Sequence, residues 1–172
     1  MIGKGRGRNY SSHLPLLMEM VHRTDGPILE LGSGHYSTPF LHWACCPTER
    51  RLVTLESNPK FFKLAAQFAD EWHTVDIVED WDAYPLERPD GHGSNWEIVF
   101  IDHDAHRRAP DAIRVAQTAN FVICHDTCGR AEKHYHYKSV SPHYKYRYHF
   151  TKVRPRTTVL SNFVDVSRIG LW

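Results

Sequence analysis

A chain of 172 residues, 41% of them hydrophobic, has enough apolar mass for one domain with a full core and lies far from the disordered class. A formal net charge of +1 gives no global field of the kind that marks a nucleic-acid binder, and no run of about 18 apolar residues exists to span a membrane. The basic stretch MIGKGRGRNYSS lacks the apolar core of a secretory signal, and Cys45, Cys46, Cys124 and Cys128 do not resemble a disulfide framework, so a cytoplasmic protein with reduced thiols is expected.

SSHLPLLMEMVHRT opens with serines suited to cap a helix and carries Leu14, Leu17, Met18 and Val21 at helical spacing. PILEL, ending at Leu31, reads as a short buried strand. After two glycines, Ser37 and Thr38 can cap a second helix with Pro39 at its first position, and Pro47 stops it. RLVTLE, residues 51–56, is a second strand. Asn58 then caps a helix begun by Pro59, with Phe61, Phe62, Ala65 and Phe68 on its apolar side. HTVDIVED is a third strand, and residues 80–95, with two prolines and two glycines, form a loop. WEIVFID (96–102) is the clearest strand, HRRAPDAIRVAQT a helix and NFVIC the fifth strand. Residues 126–145 look irregular, and KYRYHFTKV with RTTVLSNFVDVS suggests an antiparallel pair. Strands alternating with helices and then a hairpin predict an α/β domain over residues 1–172: a mainly parallel Rossmann-like sheet, helices on both faces and a C-terminal antiparallel hairpin.

In such sheets ligands bind at the carboxyl ends of the strands. ILELGSGHYSTPFL places Gly32 and Gly34 there. A dinucleotide fingerprint wants a third glycine where Ser37 stands, and a phosphate loop wants a following lysine that is absent. Glu30 would repel a phosphate and suits a ligand bearing a cation, while Glu56, at the end of the second strand, can accept both hydroxyls of a ribose. Two acids, two glycines and no phosphate clamp describe a pocket for a positively charged nucleoside, which S-adenosylmethionine is.

ELGSGHYST at 30–38, LESN at 55–58, VFID at 99–102 and VICHD at 122–126 together resemble class I S-adenosylmethionine-dependent methyltransferases, in particular small O-methyltransferase-like proteins with F-I-D-x-x-H and H-D segments. The likeness covers roughly residues 25–127. It implies cofactor contacts from Glu30, Gly32, Gly34, Ser37 and Glu56, with Asp80 and Trp81 where such proteins often hold the adenine.

Asp102, His103, Asp104 and His106 fall at and beyond the end of strand four, and His125 and Asp126 at the end of strand five. A hydroxyl acceptor must lose a proton on methylation, so a base or a Lewis-acid metal is wanted. Asp102 and Asp126 match the acids by which some O-methyltransferases hold Mg²⁺; without metal, His125 or His106 is the candidate base. The bland alternative makes Asp102 a helix cap and His103 and His106 surface residues.

From 130 to 156 eight basic residues face one acid, Glu132, among five tyrosines. That charge suggests a small anionic acceptor; nucleic acid is a weaker candidate, since the same alternation suits a hairpin with Tyr144, Tyr146 and Tyr148 packed on one face. Methyl transfer to oxygen is therefore the leading expectation. A metal-dependent hydrolase built on the Asp/His cluster and a non-catalytic RNA-binding protein of the same fold are the alternatives. A chain this short also leaves a homo-oligomer, completing its pocket from a partner subunit, among the expectations.

Overall fold

A computed structural model of the protein describes residues 10–86, 95–167 and 169. The elements are α1 (Leu14–His22), β1 (Ile28–Leu31), α2 (Ser37–Cys45), β2 (Leu52–Glu56), α3 (Pro59–Ala65), β3 (His73–Ile77), β4 (Trp96–Ile101), α4 (Arg108–Arg114), β5 (Ala119–Cys124), α5 (Gly129–His134), β6 (Tyr146–Phe150) and β7 (Thr157–Ser161). They build one seven-stranded sheet in the order β3-β2-β1-β4-β5-β7-β6. The first five strands are parallel, and the β6–β7 hairpin is antiparallel, with β7 lying against β5.

β1 and β2 are buried at every position, as expected of parallel strands covered on both faces. Alternate residues feed two apolar clusters. On one face Leu29, Leu31, Val99, Ile101, Val122 and Cys124 meet α4 and the 137–144 segment; on the other Ile28, Leu52, Ile98, Phe100 and Ile123 meet α1 and α2. The strand order reverses between β1 and β4, so the loops after them diverge and leave a crevice at their carboxyl ends.

Several local expectations shift. α1 turns Leu16, Leu17, Met20 and Val21 inward and leaves Met18 half exposed, and its serines do not cap it. Ser12 instead spans 113 residues to His125. Asn58 does cap α3, accepting from the Lys60 amide, but Phe61 stays exposed. The irregular 126–145 region contains α5 and two 3₁₀ turns, Tyr137–Ser139 and Ser141–His143. Tyr144 packs on the α4 face, whereas Tyr146 and Tyr148 pack on the α1 face, so the three tyrosines do not share one side. Part of the expected 80–95 loop, residues 87–94, lies outside the described residues.

Candidate functional site at the carboxyl ends of the strands

The turn after β1 is built by its own side chains. Gly32 has φ +91°, and a Cβ there would lie 2.5 Å from the backbone N and Cα of His103, so only glycine lets the β1 turn pass beneath the end of β4. Gly34 differs: a Cβ would touch only Ser37 Oγ, at 3.5 Å, and otherwise meet open space. The Gly34 N–H donates to Thr38 Oγ1, and Thr38 Oγ1 reaches the two Glu30 oxygens at 3.1 and 3.0 Å. Thr54 Oγ1 donates to the same carboxyl at 2.8 Å, and Ser37 hydrogen-bonds it as well.

Glu30 is fully buried in this cage, and desolvation pushes its pKa up to about 7 against those hydrogen bonds. The carboxyl that the sequence pattern offers to a cationic ligand is therefore a shielded strut whose burial favours its neutral form. Ser37 and Thr38, expected as caps, are its supports.

Glu56 lies higher in the crevice. Its Oε2 accepts from the Ser33 N–H and hydroxyl at 2.8 and 2.9 Å, and Oε1 accepts from the Asn58 N–H at 2.7 Å. A carboxylate has about four lone-pair sites, so three bonds leave one free for a ligand hydroxyl. Asp80 is exposed and closes its own turn by accepting from the Asp82 N–H. Trp81, expected at the adenine, is turned into the core, its ring 4.5 Å from that of His103.

The ends of β4 and β5 carry the charge. Asp102 faces His125 Nδ1 at 3.1 Å through Oδ2 and Arg108 Nη2 at 2.7 Å through Oδ1. Arg108 Nη1 lies 3.6 Å from Asp126, so one guanidinium spans the two acids. Tyr135 covers that guanidinium at 4.2 Å, and the Tyr137 hydroxyl donates to the His125 carbonyl. The position expected for Mg²⁺ thus holds a guanidinium. Opposite charges at this distance keep Asp102 below the usual carboxylate range in spite of its burial, with the His125 hydrogen bond and the Arg108 charge as the lowering causes.

His125 Nε2 meets Ser12 Oγ at 2.9 Å, and His13 packs edge-on against the His125 ring with centroids 4.8 Å apart. This hydroxyl–imidazole–carboxylate line has the arrangement that activates serine nucleophiles. Ser12, however, is buried and its proton goes to the Pro155 carbonyl at 2.8 Å, so no nucleophile is presented. His103, read as a surface candidate, is buried on Asp111 at 2.9 Å, and Asp111 also ties Arg107 and Arg114. His106 is exposed, its ring 6.4 Å from that of His134 on α5.

Sequence reasoning missed Ser12, His13, Arg108, Thr38 and Thr54. Arg108 reads as one more helix residue, and nothing in local spacing brings residues 12 and 13 to the far strand ends.

Beside β5, a cleft of about 330 Å³ lies between β6–β7 and the 127–141 segment. Lys138, Arg147, Arg156 and His149 line it against the single acid Glu132, over an apolar floor that includes Val140 and Leu160. Arg156 donates to the Thr127 carbonyl and Arg147 to Ser141 Oγ.

A crevice at the switch point of a 3-2-1-4-5-7-6 sheet is the arrangement of the Rossmann-like fold shared by methyltransferases, and this chain has that fold. No protein-family model matches the sequence, and no curated protein matches it. Solved structures do. A candidate O-methyltransferase from Klebsiella pneumoniae superposes with a TM-score of 0.63 at 16% identity, over 94% of this chain and 83% of that one. The O-methyltransferase TomG of Streptomyces achromogenes, involved in tomaymycin synthesis and solved with S-adenosylmethionine, gives 0.62 at 19% identity over 88% and 79%. A candidate caffeoyl-CoA O-methyltransferase from Staphylococcus aureus gives 0.57 at 13% identity over 86% and 82%. At such identities the likeness is one of fold.

Proposed function

We propose that the protein is an S-adenosylmethionine-dependent methyltransferase acting on an oxygen of a small anionic acceptor. The observation that carries this reading is the glycine turn: a backbone held open at Gly34, beside a Glu56 carboxylate with one free lone-pair site, on a fold whose neighbour TomG was solved with that cofactor. The turn suits an adenosyl group rather than a phosphate, since the acids Glu30 and Glu56 flank it and no lysine follows its glycines in the sequence.

When bound, S-adenosylmethionine supplies a methyl group on a sulfonium leaving group. The chain's part is placement and proton handling. Gly34 lets a ligand approach the backbone, and Glu56 accepts from its hydroxyls. The Asp102–His125 pair at the ends of β4 and β5 is the candidate to take up the proton lost by an acceptor hydroxyl. The basic cleft beside β5 accounts for an anionic acceptor: three cations against one acid favour a carboxylate or phosphate there. Its small volume favours a small molecule over a nucleic acid.

The test is calorimetric titration of S-adenosylmethionine and S-adenosylhomocysteine into the wild type and into Gly34→Val. Micromolar binding that the valine abolishes, with an unchanged melting temperature, is the expected result. Absence of binding to either compound would overturn the reading.

A further inference from the structure

We propose that His13, Asp102 and His125 form a binding site for a borderline divalent transition-metal ion such as Zn²⁺ or Fe²⁺. One ligand atom from each lies within 4.8 Å of the other two. Bound to zinc at about 2.0–2.1 Å, tetrahedral nitrogen and oxygen ligands sit about 3.3 Å apart, so the cluster closes with movements of about 1 Å. Two imidazoles and one carboxylate form a donor set for Zn²⁺, Fe²⁺ or Co²⁺ rather than for Mg²⁺, which prefers oxygen alone.

Hydrogen-bond logic leads to the same place. The Pro155 carbonyl can only accept, so the Ser12 hydroxyl donates to it, and His125 Nε2 must carry the hydrogen that meets Ser12 Oγ. His125 Nδ1 then faces Asp102 Oδ2 across 3.1 Å, with a proton or a metal ion between them. His13 chooses between these. It is 2% exposed, both its ring nitrogens lack a hydrogen-bond partner, and its ring lies against that of His125. A lone bridging proton gives His13 no task, whereas a metal ion gives it a bond.

The surroundings resemble an outer shell. Ser12 fixes the tautomer of His125, and Arg108 holds the second Asp102 oxygen at 2.7 Å. Three protein ligands leave a position open for water or for an oxygen of a substrate. The site stands whether or not the chain transfers methyl groups, and its test uses no cofactor.

The full chain, stripped with a chelator, is titrated with Co²⁺ and the ligand-field absorption of a four- or five-coordinate ion is followed, with Zn²⁺ competition and a parallel Mg²⁺ titration. One equivalent of Co²⁺ is expected, displaced by Zn²⁺ and not by Mg²⁺. His13→Ala and the near-isosteric Asp102→Asn should each weaken binding at least about 10-fold, the loss typical even of outer-shell changes, while His106→Ala leaves it unchanged. Circular dichroism confirms that each variant is folded. Absence of a one-equivalent band, or a band that survives both His13→Ala and Asp102→Asn, overturns the proposal and leaves a proton as the bridge.

Discussion

The two halves of the crevice are built on opposite plans. At the β1–β2 end the polar groups satisfy one another: Thr38 and Thr54 serve Glu30, and Ser33 and Asn58 serve Glu56. At the β4–β5 end, both nitrogens of His13, Nδ1 of His103 and Nη1 of Arg108 are buried without hydrogen-bond partners. Buried polar groups are normally paired because desolvation without compensation costs about 1–3 kcal/mol each. The first end is a finished shape, suited to receive a ligand against backbone. The second pairs its charges but leaves polar nitrogens without hydrogen-bond partners, suited to chemistry or to an ion.

The comparison can be broken at either end. Gly32→Ala carries the largest expected effect. A positive φ and a 2.5 Å clash with the His103 backbone combine strain and overpacking, for a loss of about 4 kcal/mol measured by denaturant unfolding. Arg108→Met comes next. It leaves Asp102 and Asp126 without their cation, and removing one partner of a buried pair costs about 3–5 kcal/mol near neutral pH. The loss should shrink as acid protonates Asp102.

Glu30→Gln sharpens the contrast through pH. The folded pKa of Glu30, about 7, lies above the ordinary glutamate value of 4.5, so between those pH values the native state holds a proton that the unfolded chain has released. Its contribution is therefore fully present below pH 4.5, declines as pH rises and is lost above pH 7, about 3 kcal/mol in all. Melting curves of wild type and Glu30→Gln should diverge across that window, the variant losing less on going from pH 4.5 to 7.5. A parallel pair of curves would mean that Glu30 is ionised in its cage.

Two small effects close the series. Gly34→Ala should move stability by no more than about 1 kcal/mol, since its Cβ makes only an ordinary contact with Ser37 Oγ, yet weaken S-adenosylmethionine binding. Arg147→Ala, at an exposed position, should stay within about 0.5 kcal/mol in unfolding while reducing the affinity of the cleft for inorganic phosphate measured by calorimetry.

The fold was largely legible. β1, β2, β4 and β5 announce themselves by short apolar runs, and the hairpin by alternating β-branched and aromatic residues, because burial on a pleated sheet acts on neighbouring residues. The glycine turn, Glu56, Asp102 and His125 were legible as strand-end residues for the same reason. Their surroundings were not. Glu30 carries the same letter whether it faces a ligand or a cage, and only the approach of Thr38 and Thr54 makes it a strut. Trp81 reads equally as an adenine platform or as core, and packing against His103 decided for core.

Local pattern by itself determined the parallel sheet, the place where its strands end and the acids and histidine that stand there. Tertiary structure alone decided what those groups touch. It set Arg108 between two carboxylates, and it carried Ser12 and His13 across more than a hundred residues to His125. The physical reason is one of range: helix and strand patterns repeat over a few residues, whereas a hydrogen bond or an ion pair closes over about 3 Å between segments that only the folded sheet brings together.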